Sequence, residues 1–389
     1  MHVHRSALVA IALGSLIGLL LAAAGTAQAG GLTKTEKLGQ SLFFDRHLSQ
    51  PAGVACASCH SSTVGWTGSD QAVNLTGAVY PGAVDTRFGN RKPPTAAYAG
   101  DSPILHYVDS TTGWVGGMFW DGRATGATLG DPLAEQAQGP FLNPLEQNNP
   151  SAAAVVAKVQ VSNYAHLFKR VWGRDIFNHT TSAYVAIARS IAAFERSPKV
   201  SAYSSKYDAY LAGRATLTKA EKNGMKLFTG KANCSNCHVP PLFTDYSYDN
   251  LGIPKNPLNP FYSEPGPNPL GAAWVDLGLG GYLKSASFAA SVYEPQLGKF
   301  KVPTLRNVAK RPYPTFVKAY GHNGYFKSLW AIVHFYNTRD VMPWPAPEVA
   351  ANVNTTELGN LGLTRHQEND IVAFLGTLSD GYRPTVHSH

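Results

Sequence analysis

The chain contains two copies of one motif, and each copy leads into a Cys-x-x-Cys-His pentapeptide. The pattern L-T-K-x-E-K-x-G-x-x-L-F occupies residues 32–43 and 217–228, ahead of "CASCH" at Cys56 and "CSNCH" at Cys234. In each copy the threonine precedes a glutamate by three residues, which is the signature of a helix capping box. The repeat therefore predicts two related halves, each with a short helix that leads to a cysteine motif.

The two pentapeptides use all four cysteines of the chain. Cys-x-x-Cys-His is the attachment signature of c-type haem, in which the thiols bind the haem and the histidine binds the iron. A zinc site and a redox-active disulfide are the alternatives for a Cys-x-x-Cys spacing. Two copies in the same repeated context favour two covalently bound haems. The predicted attachment and ligand residues are Cys56, Cys59, His60, Cys234, Cys237 and His238.

The N-terminus resembles a secretory signal peptide. A basic start at Arg5 precedes an apolar run and the small-residue sequence Ala27-Gln28-Ala29. We expect residues 1–29 to be removed, with an uncleaved membrane anchor as the alternative. No later stretch approaches the ~20 apolar residues of a membrane-spanning helix. The mature protein is therefore expected in an oxidising compartment, the bacterial periplasm.

The sequence predicts a mainly α-helical protein of two domains, because strand signals are few and short. With 389 residues, 44% of them hydrophobic and 15% charged, the chain is long enough for two globular cores. Apolar periodicity predicts a closing helix at 183–197 and another at 364–380. We place the N-terminal haem domain at 30–205 and the C-terminal haem domain at 206–389. The basic residues behind the net charge of +8 are scattered, which argues against binding of nucleic acid.

A region rich in Gly, Pro and Asn occupies residues 239–300. Few periodic runs interrupt it, so it predicts a long ordered loop. In a compact domain such a loop often wraps a cofactor.

Five further motifs resemble the bacterial di-haem cytochrome c peroxidase and MauG family. They are "LGQSLFFDRHLS" at 38–49, "FWDGRA" at 119–124, "EQAQGPFLNPLE" at 135–146, "FKVPTLRNVA" at 300–309 and "HNGYFKSLWAIVHFYN" at 322–337. The likeness covers nearly the whole mature chain in the same order. It implies two cytochrome-c-like α domains packed around a shared interface, with a haem in each.

The resemblance also implies roles for four residues. Trp120 in "FWDGRA" matches a tryptophan that relays electrons or holes between the haems, with a core aromatic as the alternative. Gln136, Pro140 and Glu146 match the distal side of the first haem. Glu146 would move a proton between the peroxide oxygens, with an ordinary exposed glutamate as the alternative.

The sequence departs from the peroxidases at both irons. The peroxidases carry a histidine in the loop after the first motif, but none lies between His60 and His106. The first haem is therefore predicted to be open on its distal side, with His106 as an alternative ligand. At the second haem, Tyr336 stands where ordinary members place a methionine ligand, which resembles the MauG branch. Met342 is the competing ligand.

Two other positions differ from family members. A calcium ion between the domains is usual, but Lys92 stands at the position of an asparagine ligand, with Asn90 as the nearest substitute. The MauG branch also has a tryptophan, two residues before the second cysteine motif, that passes holes to its substrate. Ala232 stands there, so a different exit route is expected.

The leading functional hypothesis is a MauG-like di-haem enzyme. It would use hydrogen peroxide to oxidise aromatic side chains, first of all tryptophan, of a periplasmic partner protein at long range through a high-valent two-haem state. The first alternative is a cytochrome c peroxidase that reduces peroxide to water with electrons from a small cytochrome or copper protein. The second is a non-catalytic electron-transfer cytochrome.

Overall fold

The structure is a computed structural model that describes residues 31–384. The predicted signal peptide lies outside these residues. No helix in the described part is both long enough and apolar enough to cross a membrane. Within the described residues, the chain from Thr33 onward packs as one compact unit. The domain limits 30–205 and 206–389 stay a prediction.

The fold is mainly α-helical, as predicted, and most helices are short. In the first half, α1 to α7 span Lys34–Phe44, Cys56–Cys59, Gln71–Leu75, Pro132–Leu142, Ala152–Gln160, Ala165–Trp172 and Thr180–Arg196. In the second half, α8 to α13 span Lys206–Leu211, Lys219–Thr229, Gly278–Ser285, Ala290–Tyr293, Leu329–Thr338 and Arg365–Gly376. Within residues 31–384 there are two antiparallel strand pairs, β1 (His106–Tyr107) with β2 (Trp114–Val115) and β3 (Tyr248–Asp249) with β4 (Phe300–Lys301).

Both predicted capping boxes are present. Thr33 Oγ1 accepts a hydrogen bond from the Glu36 backbone at 3.2 Å, and the Glu36 carboxylate accepts one from the Thr33 backbone at 2.6 Å. Thr218 and Glu221 repeat the arrangement at 3.2 and 2.7 Å. The two closing helices also form, as α7 and α13, with α13 ending at Gly376 rather than at residue 380.

The region 239–300 is largely irregular but contains helices α10 and α11, which the sequence did not predict. Helix α10 has the sequence "GLGGYLKS", and glycine is a poor helix former. At Gly280 a side chain would come within 2.5 Å of the Leu297 backbone nitrogen. Close packing of the backbone therefore requires the glycine. Because glycine lowers the helix propensity, the sequence does not predict this helix.

Each repeat helix crosses the closing helix of its own half at a glycine. A Cβ atom on Gly39 of α1 would lie 1.8 Å from the carbonyl oxygen of Ser190 in α7. A Cβ atom on Gly224 of α9 would lie 1.8 Å from the carbonyl oxygen of Asp370 in α13. The two crossings are equivalent, and only a residue without a side chain permits either of them.

Beside each crossing three aromatic rings pack edge to face or tilted. In the first half the ring centroids of Phe43, Trp66 and Phe194 lie 5.4 to 5.9 Å apart. In the second half Phe228, Phe243 and Phe374 lie 5.3 to 6.2 Å apart. Each cluster joins the end of the repeat helix, the loop after the cysteine motif and the closing helix. The repeat thus builds one packing unit twice.

Substitution of Gly224 by alanine is expected to lower the free energy of unfolding. The added methyl must displace the backbone of α13, which costs about 1–3 kcal/mol and outweighs the gain in helix propensity. Gly376→Ala in the same closing helix is the matched control, because no atom lies within 4 Å of its Cβ position. The control should leave stability equal or higher by up to about 1 kcal/mol. Denaturant unfolding of the holoprotein measures both, and equal stabilities would contradict the role of the crossing.

Candidate functional site

The first cysteine motif forms the one-turn helix α2, and its histidine is held in one tautomer. His60 Nδ1 lies 3.0 Å from the carbonyl oxygen of Trp66, so this nitrogen carries the proton and donates it. Burial lowers the pKa of His60, which favours the neutral ring. Nε2 is therefore left as a free lone pair, the form in which imidazole binds a metal.

The second motif has the same arrangement. His238 Nδ1 lies 2.9 Å from the carbonyl oxygen of Phe243, and burial lowers the pKa of this histidine as well. Trp66 and Phe243 both adopt left-handed backbone conformations, with φ of 62° and 57°. Their rings belong to the two aromatic clusters, so packing at each crossing fixes the carbonyl that orients each histidine.

A second repeat, K-x-P-T, supports both motifs and was missed in the sequence. It occurs at 92–95 and 301–304. Thr95 donates to the Gly65 carbonyl at 2.8 Å, and Thr304 donates to the Leu242 carbonyl at 2.5 Å. Each bond ties the repeat to the residue before Trp66 or Phe243. The likeness of "KPPT" to "KVPT" was the signal that could have found it.

Trp120 lies between the two K-x-P-T segments and is bonded to both. Its indole Nε1–H donates to the carbonyl of Lys92 at 2.8 Å, and its own carbonyl accepts from the backbone of Lys301 at 2.9 Å. Arg91 pairs with Asp121, the next residue after Trp120, at 2.6 Å and with Asp276 at 2.6 Å. The structure therefore holds Trp120 between equivalent points of the two halves.

A cavity of about 240 Å³ surrounds the second cysteine motif. Cys234, Cys237, His238 and Tyr336 all line it, together with Trp120. The sequence-predicted residues of the second site are therefore brought together.

The second candidate iron ligand, Met342, is not among the residues that line this cavity, and 48% of its surface is exposed. Burial, followed by the neighbouring Cys234 and Asp249, raises the pKa of the Tyr336 phenol above its ordinary value. In the protein without cofactor the phenol is therefore neutral. Of the two residues, only Tyr336 faces the space around the second motif.

The lining of the cavity fits a haem. It is largely apolar, and it includes two thiols and an imidazole whose outer nitrogen is already bonded. It also contains His322, whose Nδ1 is buried without a hydrogen-bond partner, and Lys301, whose pKa is lowered by burial to about 8. An apolar ring that carries carboxylates would cover the apolar wall and give these polar groups partners.

Glu146 lies beside the first cysteine motif. Its carboxylate accepts a hydrogen bond from Asn143 Nδ2 at 2.7 Å. Burial raises the pKa of Glu146, while Asn143 and the positive charge of Arg123 oppose the rise. Burial, with the charge of Glu146, in turn raises the pKa of the Cys59 thiol to about 12. Glu146 is thus a half-buried titratable carboxyl group close to this motif and not an ordinary exposed glutamate.

Helix α4 carries Gln136 and Pro140, the other two candidate residues of the segment "EQAQGPFLNPLE", and sets the position of Glu146. Pro140 lies inside α4, and its carbonyl accepts from the Gln147 backbone at 3.0 Å. Gln147 Nε2 lies 3.9 Å from Cys56 Sγ. Gln136 is half-buried one helical turn before Pro140. The end of α4 therefore brings the loop with Glu146 against the first cysteine motif.

The alternative ligand His106 lies at the surface, whereas Glu195, which the sequence did not indicate, is buried. His106 is exposed on β1, with Nδ1 2.8 Å from the Ile104 carbonyl oxygen, and does not line the cavity. Glu195 in α7 was not predicted as a site residue, yet it is only 5% exposed. Burial raises the pKa of Glu195 to about 8, and burial followed by the charge of Glu195 raises the pKa of Cys56. Glu195 is thus a buried carboxyl group beside the first motif.

Comparison with known proteins identifies a family for this chain. Residues 33–216 match the family of di-haem cytochrome c peroxidases. The methylamine utilization protein MauG of Paracoccus denitrificans is 34% identical over an aligned length of 397 residues. The alignment covers 95% of this chain and 95% of that protein. A cytochrome-c peroxidase of Denitromonas iodatirespirans is 29% identical and covers 90% of this chain and 82% of its own. The crystal structure of the diheme peroxidase BthA from Burkholderia thailandensis has a TM-score of 0.75 at 29% identity, covering 91% of this chain and 89% of that one.

These likenesses define a c-type di-haem peroxidase fold. The chain belongs to the di-haem cytochrome c peroxidase and MauG family, and it is an oxidoreductase of the peroxidase class. Membership implies two haems, one for each half of the repeat.

Proposed function

We propose that this protein is a MauG-like di-haem enzyme of the periplasm. It uses hydrogen peroxide to oxidise aromatic side chains, first of all tryptophan, of a partner protein. The supporting observation is that Tyr336 and His238 line one cavity around the second cysteine motif, whereas Met342 is half-exposed outside it. An anionic oxygen ligand favours oxidised iron, whereas a methionine thioether raises the potential.

The residues that would hold the cofactors follow from the site. Cys56 and Cys59 would bind one haem and Cys234 and Cys237 the other, as thioethers. His60 and His238 would be the proximal ligands, and Tyr336 the second ligand at the second iron. The haems supply iron that exchanges electrons with peroxide.

Glu146 is the proposed acid and base on the peroxide side. As a carboxylate it accepts the proton of the oxygen that approaches the first site, and it returns this proton to the oxygen that leaves as water. Its partial burial limits the access of bulk water to this proton. Gln136 and Pro140 shape the same side, Gln136 as a polar partner and Pro140 through the carbonyl that holds the 143–147 loop.

Trp120 is the proposed relay between the two sites. Its indole lines the cavity of the second site and is bonded to Lys92, whose charge contributes to lowering the pKa of His60 at the first. A large aromatic residue whose indole N–H and backbone carbonyl are both hydrogen-bonded can pass electrons without moving.

The position of Lys92 argues against the calcium ion that is usual in the family. Its ammonium group donates to Thr67 Oγ1 and to the Pro93 carbonyl, both at 2.9 Å. A cation of the chain itself thus already satisfies two oxygen acceptors there. At Asn90, the nearest substitute ligand, the backbone carbonyl accepts a hydrogen bond from Asn259 Nδ2 at 3.0 Å.

A cytochrome c peroxidase is the second candidate, because relatives with that name cover most of this chain. It would take electrons from a small cytochrome or copper protein and use them to reduce peroxide. The third hypothesis, a non-catalytic electron-transfer cytochrome, disagrees with membership of a peroxidase family and leaves Glu146 without a role. Fast steady-state turnover with reduced cytochrome c would favour the second candidate.

The central test adds one equivalent of peroxide to the diferric holoprotein without a donor. We expect a persistent oxidised state shared by both haems, visible by Mössbauer and EPR spectroscopy, because Tyr336 stabilises oxidised iron. A state that decays within the mixing time, or that involves one haem alone, would refute the MauG-like function.

Tyr336→Met is expected to raise the reduction potential of the second haem and to shorten the life of the oxidised state. A thioether stabilises reduced iron relative to a phenolate. Met342→Leu is the matched control and should leave both quantities unchanged, because Met342 does not line the cavity. Redox titration followed by absorbance measures the potentials, and a shift with Met342→Leu alone would transfer the ligand role to Met342.

Glu146→Gln is expected to slow the reaction with peroxide by about 10²–10⁴-fold, the usual contribution of a general base. The carboxylate is the active form, so the wild-type rate should rise with pH through the raised pKa of Glu146 and fall below it. The variant should lose this pH dependence. Stopped-flow absorbance provides the rates. Glu195→Gln is the comparison, and a loss there with none at Glu146→Gln would assign the role to Glu195.

A further inference from the structure

The proposed function needs a route by which oxidising equivalents reach the protein surface. The position of the exit tryptophan in the MauG branch is held here by Ala232, which is aliphatic and 5% exposed. On the basis of the proposed function, we propose that Trp344 is the exit residue, reached from Tyr336 through the ring of Phe335.

Three aromatic rings connect the cavity to the surface. Tyr336 lines the cavity, and its ring centroid lies 6.0 Å from that of Phe335, which is fully buried. The Phe335 ring lies 5.1 Å from Trp344, at an interplanar angle of 89°. Trp344 is partly exposed, and Val341, three residues before it, is 58% exposed. One phenylalanine ring therefore separates a candidate iron ligand from an indole at the surface.

The indole is fixed in place. Trp344 lies between two prolines, and its backbone N–H donates to the Met342 carbonyl at 2.8 Å. Its Nε1–H donates to Thr338 Oγ1 at 3.0 Å, and the Thr338 hydroxyl donates to the His334 carbonyl at 2.7 Å. A rigid ring needs little rearrangement when its charge changes. Because a hydroxyl is a weak base, the indole keeps its proton when it loses an electron.

Charges around the competing aromatic residues favour Trp344. Beyond it, His334 leads to Trp330 with ring separations of 6.1 and 4.7 Å, but the guanidinium of Arg365 lies 4.5 Å over the Trp330 ring. A cation over an aromatic face is attracted to its electrons, and this attraction is lost when the ring itself becomes positive. Trp330 is therefore harder to oxidise.

The same applies to the route on the Trp120 side. Tyr98 lines a small cavity with Trp120, and its ring lies 4.9 Å from that of the half-exposed Tyr203. The guanidinium of Arg306 lies 5.4 Å over Tyr98 and 5.1 Å over Tyr203. Among the described residues, no Lys or Arg lies over Trp344, so a positive charge costs less there than on Trp330, Tyr98 or Tyr203.

The electrons and protons balance. Hydrogen peroxide takes up two electrons and two protons and yields two molecules of water. The two electrons come from an aromatic side chain of the partner protein and pass singly through the Trp344 indole, which is oxidised and then reduced again each time. The partner side chain releases the two protons.

The test uses the holoprotein and peroxide alone, without a partner. In the wild type the oxidised state then decays through Trp344, and peptide mapping should find oxidation products at Trp344 in excess of those at Trp330. Trp344→Phe should lengthen the life of the oxidised state several-fold, because phenylalanine is much harder to oxidise. Trp344→Tyr should restore part of the decay, and Trp330→Phe should leave it unchanged. Haem content and visible spectra verify that each variant is assembled.

The outcomes separate the two proposals. If the oxidised state forms but lives equally long in the wild type and in Trp344→Phe, the exit route is wrong and the MauG-like function stands. If Trp330→Phe lengthens the life and Trp344→Phe does not, the route is also wrong. If no persistent state forms in the wild type, the proposed function falls, and the exit route falls with it.

Discussion

Two glycines allow direct backbone contact between helices, and the geometry of both cysteine motifs follows from this contact. Gly39 and Gly224 let each repeat helix touch the carbonyl of its closing helix directly. The approach gathers three rings beside each crossing, and one ring of each set, Trp66 or Phe243, belongs to the residue whose carbonyl holds the proximal histidine. A helix–helix contact thus determines which nitrogen of an imidazole is free. This explains why the repeat precedes both cysteine motifs, since the packing unit and the ligand geometry are one structure.

The same frame supports two chemically different environments. Five residues beyond Ser190 the first half has Glu195, a buried carboxyl group, whereas five residues beyond Asp370 the second half has Leu375, an apolar residue that lines the cavity. The rings that build the frame are aromatic in both halves, whereas this position differs. A buried carboxyl group therefore lies beside the first motif where the second half has an aliphatic side chain. Such a difference suits the proposed division between a site that reacts with peroxide and one that holds oxidising equivalents.

Sequence reasoning recovered the features that local chemistry encodes. The capping boxes, the two closing helices, the mainly α fold and the family were predictable because caps, apolar period and cysteine spacing act over short distances. The K-x-P-T repeat could not be recognised locally, because its role depends on side-chain hydrogen bonds to distant backbone groups. One example is the bond from the Thr304 hydroxyl to the Leu242 carbonyl. Helix α10 was missed because its glycines serve close packing. Glu195 was missed because an acidic residue in an amphipathic helix usually faces water, and only the tertiary structure shows that this one does not.

Trp120 contributes more than an aromatic ring. Its side chain is bonded to Lys92 and its carbonyl to Lys301, so that one residue joins the two K-x-P-T segments. The residue acts as a spacer, and the two segments cannot move apart unless one of these bonds breaks. In the proposed function such a spacer would also fix the rate of electron transfer, because that rate falls steeply with distance. The timing of the proposed reaction would then be set by arrival of the reactants rather than by motion of the halves.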